Sequence, residues 1–230
     1  SELAFDTALK LRKTKGHVVG FHIVDPAKKD LPAKYEWDTI RDNADLKGTV
    51  IPKQFFKLES VMKEKTAQTT KQAFNKYVSC VELEGYVCVG FTGRKGPKED
   101  PTILGQVADL AMRSCAQPVI VCKKAIEDVR SYIVLVDETE RSFSAYEAVL
   151  NMARGVDTVT VCFCCEVSAA DRIAAMKEKY ESNFAVNGLT NVSFKLVEKV
   201  AGTTVDAALT DYCNGEAASF VVTAPDPMLE

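Results

Sequence analysis

The residues best placed to do chemistry lie between Val87 and Leu110, in "VCVGFTGRKGPKEDPTILGQVADL". Gly90 ends an apolar strand pattern and Gly93 follows after Phe91 and Thr92. Eleven residues then lead to Gly105 and Gln106, near the start of a helical pattern. Glycines at a strand end let the backbone approach a phosphate with no Cβ in the way. A helix start adds unpaired N–H groups and the positive end of a dipole. Gln106 carries a hydrogen-bond donor on a long stem. Arg94, Lys95 and Lys98 would offer charge to a phosphate tail. Glu99 and Asp100 would oppose it, by up to about 4 kcal/mol for one contact at about 4 Å and an effective dielectric near 20. A bridging divalent ion would reverse that sign. The same residues also read as a plain connection: Gly93 and Gly96-Pro97 make turns, Asp100 caps the helix, and Pro101 takes its first position.

Other constellations carry less chemistry. "CFCC", Cys162 to Cys165, has the C-x-x-C spacing. It ends a strand instead of opening a helix, so Cys162 and Cys165 should point to opposite faces and stay structural. No histidine or second cysteine pair stands at ligand spacing, and no metal site is expected. The only histidines, His17 and His22, share one strand region without a serine elbow, so no triad is expected. The acidic residues show no pairing that suggests acid–base work. No catalytic residue is assigned.

Strands and helices alternate along the whole chain. The first half reads as a helix over 2–13, a strand "HVVGFHIVDP", and a polar connection over 27–53 holding a helix around "KYEWDTIRDN". A strand over 55–61, a helix over 69–81 and a strand over 86–90 follow. A helix over 102–115 then shows Ile103, Leu104, Val107, Leu110 and Ala111 on one face, and "QPVIVCKK" closes the half. The second half reads as strand "SYIVLVDE", helix 142–154, strand "DTVTVCFCC", helix 169–184, strand "NVSFKLVEKV", helix "TTVDAALTDYC" and strand "ASFVVTAP". Two segments repeat: "FKLESV" and "FKLVEKV" each precede a threonine-opened helix ending in Tyr and Cys, then an apolar strand. Nearly continuous apolar strands indicate parallel sheets covered by helices on both faces. The charged stretch "KKAIEDVR" divides the chain into domains over 1–127 and 128–230.

Bulk composition narrows the function classes. The chain has 230 residues, 47% hydrophobic and 27% charged, with a net charge of −3. No global positive field exists to hold nucleic acid or an anionic membrane. No apolar run is long enough to span a bilayer, and "SELAFDTALK" lacks the regions of a signal peptide. Eight cysteines, several inside strand patterns, indicate a reducing, cytoplasmic setting.

"HIVDP", "VGFTG", "TILGQVADLAMRSCAQPVIVCKK" and "YIVLVDETERSFSAYEAVLNMA" together resemble the recurring segments of the universal stress protein family. The resemblance covers nearly the whole chain as two copies. It implies an open five-stranded parallel sheet per domain, strand order 3-2-1-4-5, with ligands beyond the carboxyl ends of the strands. Relative to the family, the first strand of domain one and the last helix and strand of domain two are not in this sequence. A sheet lacking a middle strand would leave unpaired ladder groups costing roughly 1–3 kcal/mol each where buried. Upstream residues of a longer chain, or another segment, are expected in that slot.

The family's nucleotide pattern has nine residues before a Gly-Ser/Thr pair, so the loop here is two longer and Gln106 replaces the hydroxyl. The resemblance implies ATP or AMP, with Mg, at Ile23 (adenine contact by its backbone), Gly90, Gly93, Gly105 and Gln106. The family's adenosine-holding acid matches Asp137, in domain two. No glycine pair follows "FVVTAP", and the prolines there lack the N–H a phosphate needs, so no nucleotide is expected in domain two. The resemblance further implies domain pairing like a family dimer through "PVIVCK", or a homodimer. A ligand-free scaffold and a weak ATPase or thiol redox protein are the alternatives to a nucleotide-binding module.

Overall fold

The computed structural model describes residues 2–13, 15–24, 39, 42–43, 52–62, 69–80, 85–91, 103–166, 168–184 and 188–224. The chain divides into two compact units, Ser1–Ala125 and Ile126–Glu230.

The first unit contains α1 (Glu2–Leu11), β1 (Val18–Val24), β2 (Phe56–Met62), α2 (Thr70–Cys80), β3 (Val87–Gly90), α3 (Gln106–Ser114) and β4 (Val119–Cys122). β1 pairs in parallel with β2, and β3 with β4. Alternation sends Phe21 and Ile23 of β1, Val87 and Val89 of β3, and Val119 and Val121 of β4 to one face. There they pack with Phe74 and Val78 of α2 and Ala108 and Ala111 of α3. The stack of Phe21 on Tyr77, centroids 3.5 Å apart, fixes α2 over β1. α1 packs on β1, β3 and β4, with Ala4 and Thr7 as its buried residues.

The second unit contains β5 (Ser131–Val136), α4 (Glu140–Met152), β6 (Thr158–Cys165), α5 (Ala170–Glu181), β7 (Val192–Glu198), α6 (Val205–Gly215) and β8 (Phe220–Val222). All its strands are parallel, in the order β7-β6-β5-β8. α4 packs on β5 and β8, and α5 on β6 and β7. α6 lies against Ile133, Leu135, Cys162, Cys164 and Val197 through Ala208, Leu209, Tyr212 and Cys213. Helices therefore cover both faces, as the apolar strands require.

The parallel α/β class holds in both units, and among the described residues each is one strand short of five, in keeping with the family's first strand of domain one and last strand of domain two not being in this sequence. The second unit shows four strands in one sheet, and the first shows two separate pairs. The physical difference is the central ladder. β5 bonds to both β6 and β8, whereas no described strand bonds to both β1 and β3.

The threonine-opened helices of the repeat have a common cause. Thr69 Oγ1 accepts from Gln72 N while Gln72 Oε1 accepts from Thr69 N, a reciprocal capping box. Thr204 Oγ1 accepts from Ala207 N in the second copy. The helix expected around "KYEWDTIRDN" lies largely outside the described residues.

Candidate functional site

β3 and α3 meet through the backbone. The N–H of Phe91, just past β3, donates to Cys122 O at 3.0 Å, and Gly105 N–H donates to Phe91 O at 2.7 Å. Gly105 is the N-cap of α3, with ψ of 141° and no side-chain cap. The first intrahelical bond runs from Asp109 N–H to Gly105 O. The N–H groups of Gln106, Val107 and Ala108 thus have no intrahelical acceptor and sit at the positive end of the helix. Lys123, at the end of β4, holds its Nζ 4.9 Å from the centroid of the Phe91 ring.

This start corrects the helix expected over 102–115. α3 begins at Gln106, so Asp100 is not its N-cap and Pro101 not its first residue. Ile103 stands outside the helix and is 48% exposed. The cause is tertiary: Phe91 O holds the Gly105 amide, and the extended Gly105 backbone separates Ile103 and Leu104 from the helical turn. Leu104, Val107, Leu110 and Ala111 do reach the core cluster.

Gly90 ends β3 and Ile23 lies on β1 opposite Val61. The Ile23 side chain packs against the same cluster as Val107 of α3, which leaves its backbone as the group a ligand could use. Gly93 and the charged residues Arg94, Lys95, Lys98, Glu99 and Asp100 lie outside the described residues. A phosphate cradle here would consist of the α3 amides beyond β3. These fit an anionic ligand, although the Gly105 N–H is already engaged by Phe91.

Asp137 belongs to the second unit, directly after β5. Its carboxylate accepts from the Thr139 N–H at 2.8 Å and from the Thr139 hydroxyl. Burial opposes its ionisation, but the bonds from Thr139 and Ser142 outweigh that and hold the carboxyl below its ordinary range. Thr139 in turn caps α4 at Ser142 N–H. The Ser142 hydroxyl lies 2.9 Å from Asp137 O and 3.2 Å from the Tyr180 hydroxyl. The Asp137 carboxylate is therefore built into its own strand-to-helix turn.

Cys162 packs against α6, whereas Cys165 lies on the other face, within the fields of Arg172 and Glu138. Burial pushes the Cys162 thiol up to about 11, and burial also raises Cys164 and Cys165. None has the depressed pKa of an attacking thiol. Among the described residues, no group of three or more His, Cys, Asp or Glu is arranged to hold a metal ion.

Burial lowers the His22 pKa below 6.5. A lowered folded pKa means that the unfolded chain binds the proton more readily, so stability present above about pH 6.5 is lost as pH falls below it. The urea midpoint of the first unit should drop between about pH 7.5 and 5.5, and His22→Gln should flatten that drop. An unchanged slope would remove His22 as its source.

One buried charge cluster had no motif to announce it. Asp157, fully buried before β6, accepts from the N–H groups of Arg130 and Arg154 and from the Arg154 guanidinium. It sits at the amino ends of the strands, opposite the end where open parallel sheets bind ligands.

Alternating parallel strands and helices in two tandem units make a parallel α/β fold of the kind found in universal stress proteins. The crystal structure of a universal stress protein from Archaeoglobus fulgidus DSM 4304 is similar over 95% of this chain and 79% of that one, with a TM-score of 0.56 and 12% identity. Protein Rv1636 from Mycobacterium tuberculosis H37Rv covers 41% of this chain and 70% of its own, with a TM-score of 0.34 and 17% identity. That second likeness is too slight to carry an argument. No protein-family model and no curated protein matches the sequence. No helix among the described residues is long and apolar enough to cross a membrane.

Proposed function

We propose that the chain is a universal-stress-like binding module of the cytoplasm whose first unit holds an adenine nucleotide, ATP or AMP, with Mg²⁺ on the phosphates. The observation that carries this reading is the opening of α3 at Gly105–Gln106, directly beyond the carboxyl end of β3. The Ile23 backbone would meet adenine, Gly90 and Gly93 would admit the phosphates, and the α3 amides with Gln106 would hold their charge. In the second unit, Asp137 keeps a turn-forming role and the unit acts as a copy without ligand. The two domains, over 1–127 and 128–230, pair with each other or with a second chain along β4. The module works in a stress response through contacts and not through turnover.

Calorimetric titration of the chain with ATP and AMP, with and without Mg²⁺, tests the ligand. Saturable binding is expected. Gln106→Glu, at an exposed position, should weaken it about tenfold by setting a carboxylate against phosphate. No saturable heat at millimolar nucleotide would leave the ligand-free scaffold, which the self-contained Asp137 turn favours for the second unit.

A further inference from the structure

The first unit sets a pair of thiols beneath α1, Cys122 buried and Cys88 half-buried. Val87, Val89, Val119 and Val121 all pack toward the α2–α3 cluster. Alternation therefore turns Cys88, Gly90, Ile120 and Cys122 to the opposite face, the one against which α1 packs. Cys122 is 6% exposed there. The register sets Cys88 across from Ile120 and Gly90 across from Cys122. The thiols are thus diagonal neighbours, and Gly90 puts no side chain between them. Thr7, only 2% exposed, meets the pair from α1: its hydroxyl has no oxygen or nitrogen partner among the described residues and interacts with the Cys122 sulfur.

Spacing selects the chemistry. Adjacent strands about 4.8 Å apart and an offset of two residues, roughly 6.6 Å, set the two Cα atoms about 8 Å apart. A disulfide bridges at most about 7 Å without backbone movement, and both thiols are free. A sulfur–metal–sulfur bridge is longer, with two bonds of roughly 2.3 Å each. Soft thiolates select Cu(I) and zinc among the first-row ions; zinc closes a structural site with four ligands, whereas Cu(I) accepts two nearly collinear sulfurs.

We propose that Cys88 and Cys122, roofed by Thr7, form a two-thiolate site for a soft d¹⁰ cation of the Cu(I) class. Two S–H bonds break, two metal–sulfur bonds form, and two protons leave to solvent for each ion bound, with no change of oxidation state. The site is independent of the nucleotide reading.

Anaerobic titration of the full chain with Cu(I), against a competing chelator, tests it together with hydrogen exchange. One tightly held equivalent is expected, with protection gained in α1, β3 and β4. Cys88→Ala and Cys122→Ala should each lose that equivalent and that protection. Equal uptake in both variants, or uptake that protects only the α6 face with Cys162, Cys164 and Cys213, would overturn the proposal. Should either variant misfold, the exchange map of the unaltered chain decides.

Discussion

Asp157→Ala should destabilise the second unit by about 3–5 kcal/mol, the range for breaking a buried ion pair. The carboxylate is inaccessible, and Arg130, with its guanidinium 4.0 Å away, is almost equally so. Burial favours the neutral acid, yet the bonds from Arg154 and Arg130 outweigh it and hold the carboxyl below its ordinary range. Removing it leaves the Arg130 guanidinium without this counter-charge and two backbone N–H groups without their acceptor. Arg154 is half exposed and can turn to water, so its share of the loss is small. A depressed folded pKa contributes stability above the unfolded value near 3.8, lost as pH falls through the lower folded one. Urea unfolding at neutral pH measures the effect. A loss under about 1 kcal/mol would mean that the cluster relaxes into solvent.

The second large effect is expected at Tyr180. Its ring is fully buried, edge-on to Tyr146 at 5.0 Å and tilted against Phe143 at 5.8 Å. Tyr180→Ala should cost about 3–5 kcal/mol, as for other large aromatic truncations. Tyr180→Phe removes only the hydroxyl contact to Ser142 and should cost about 1 kcal/mol. Because Ser142 also holds the backbone of Asp137, both variants should speed amide exchange at Asp137 and Thr139. Equal losses for Phe and Ala would show that the hydroxyl, and not the ring, anchors α5.

Alternation of strands and helices was legible because side-chain phase is written in sequence. Val87 and Val89 against Cys88 and Gly90 already tell which residues share a face. The threonine starts were legible too, since a cap needs only a side chain three residues away. The start of α3 was not, because the bond that fixes it comes from Phe91, fourteen residues earlier in the chain. Asp157 fell inside the strand pattern "DTVTVCFCC" with nothing to mark it. Its partner Arg130 is brought to it only by the pairing of β5 with β6. Cys88 and Cys122 each passed for a small apolar residue, and nothing short of strand register reveals them as neighbours.

α6 has no fully buried side chain, whereas α4 has five. It holds to its sheet by partial contacts alone, next to a three-residue edge strand, β8. Such a segment should detach before the rest of its unit unfolds. A protease could then cut at the Gly202 turn while β5, β6 and β7 stay assembled. A thiol reagent would find Cys213 and Cys162 during the same excursions, well before it reached Cys165 on the other side.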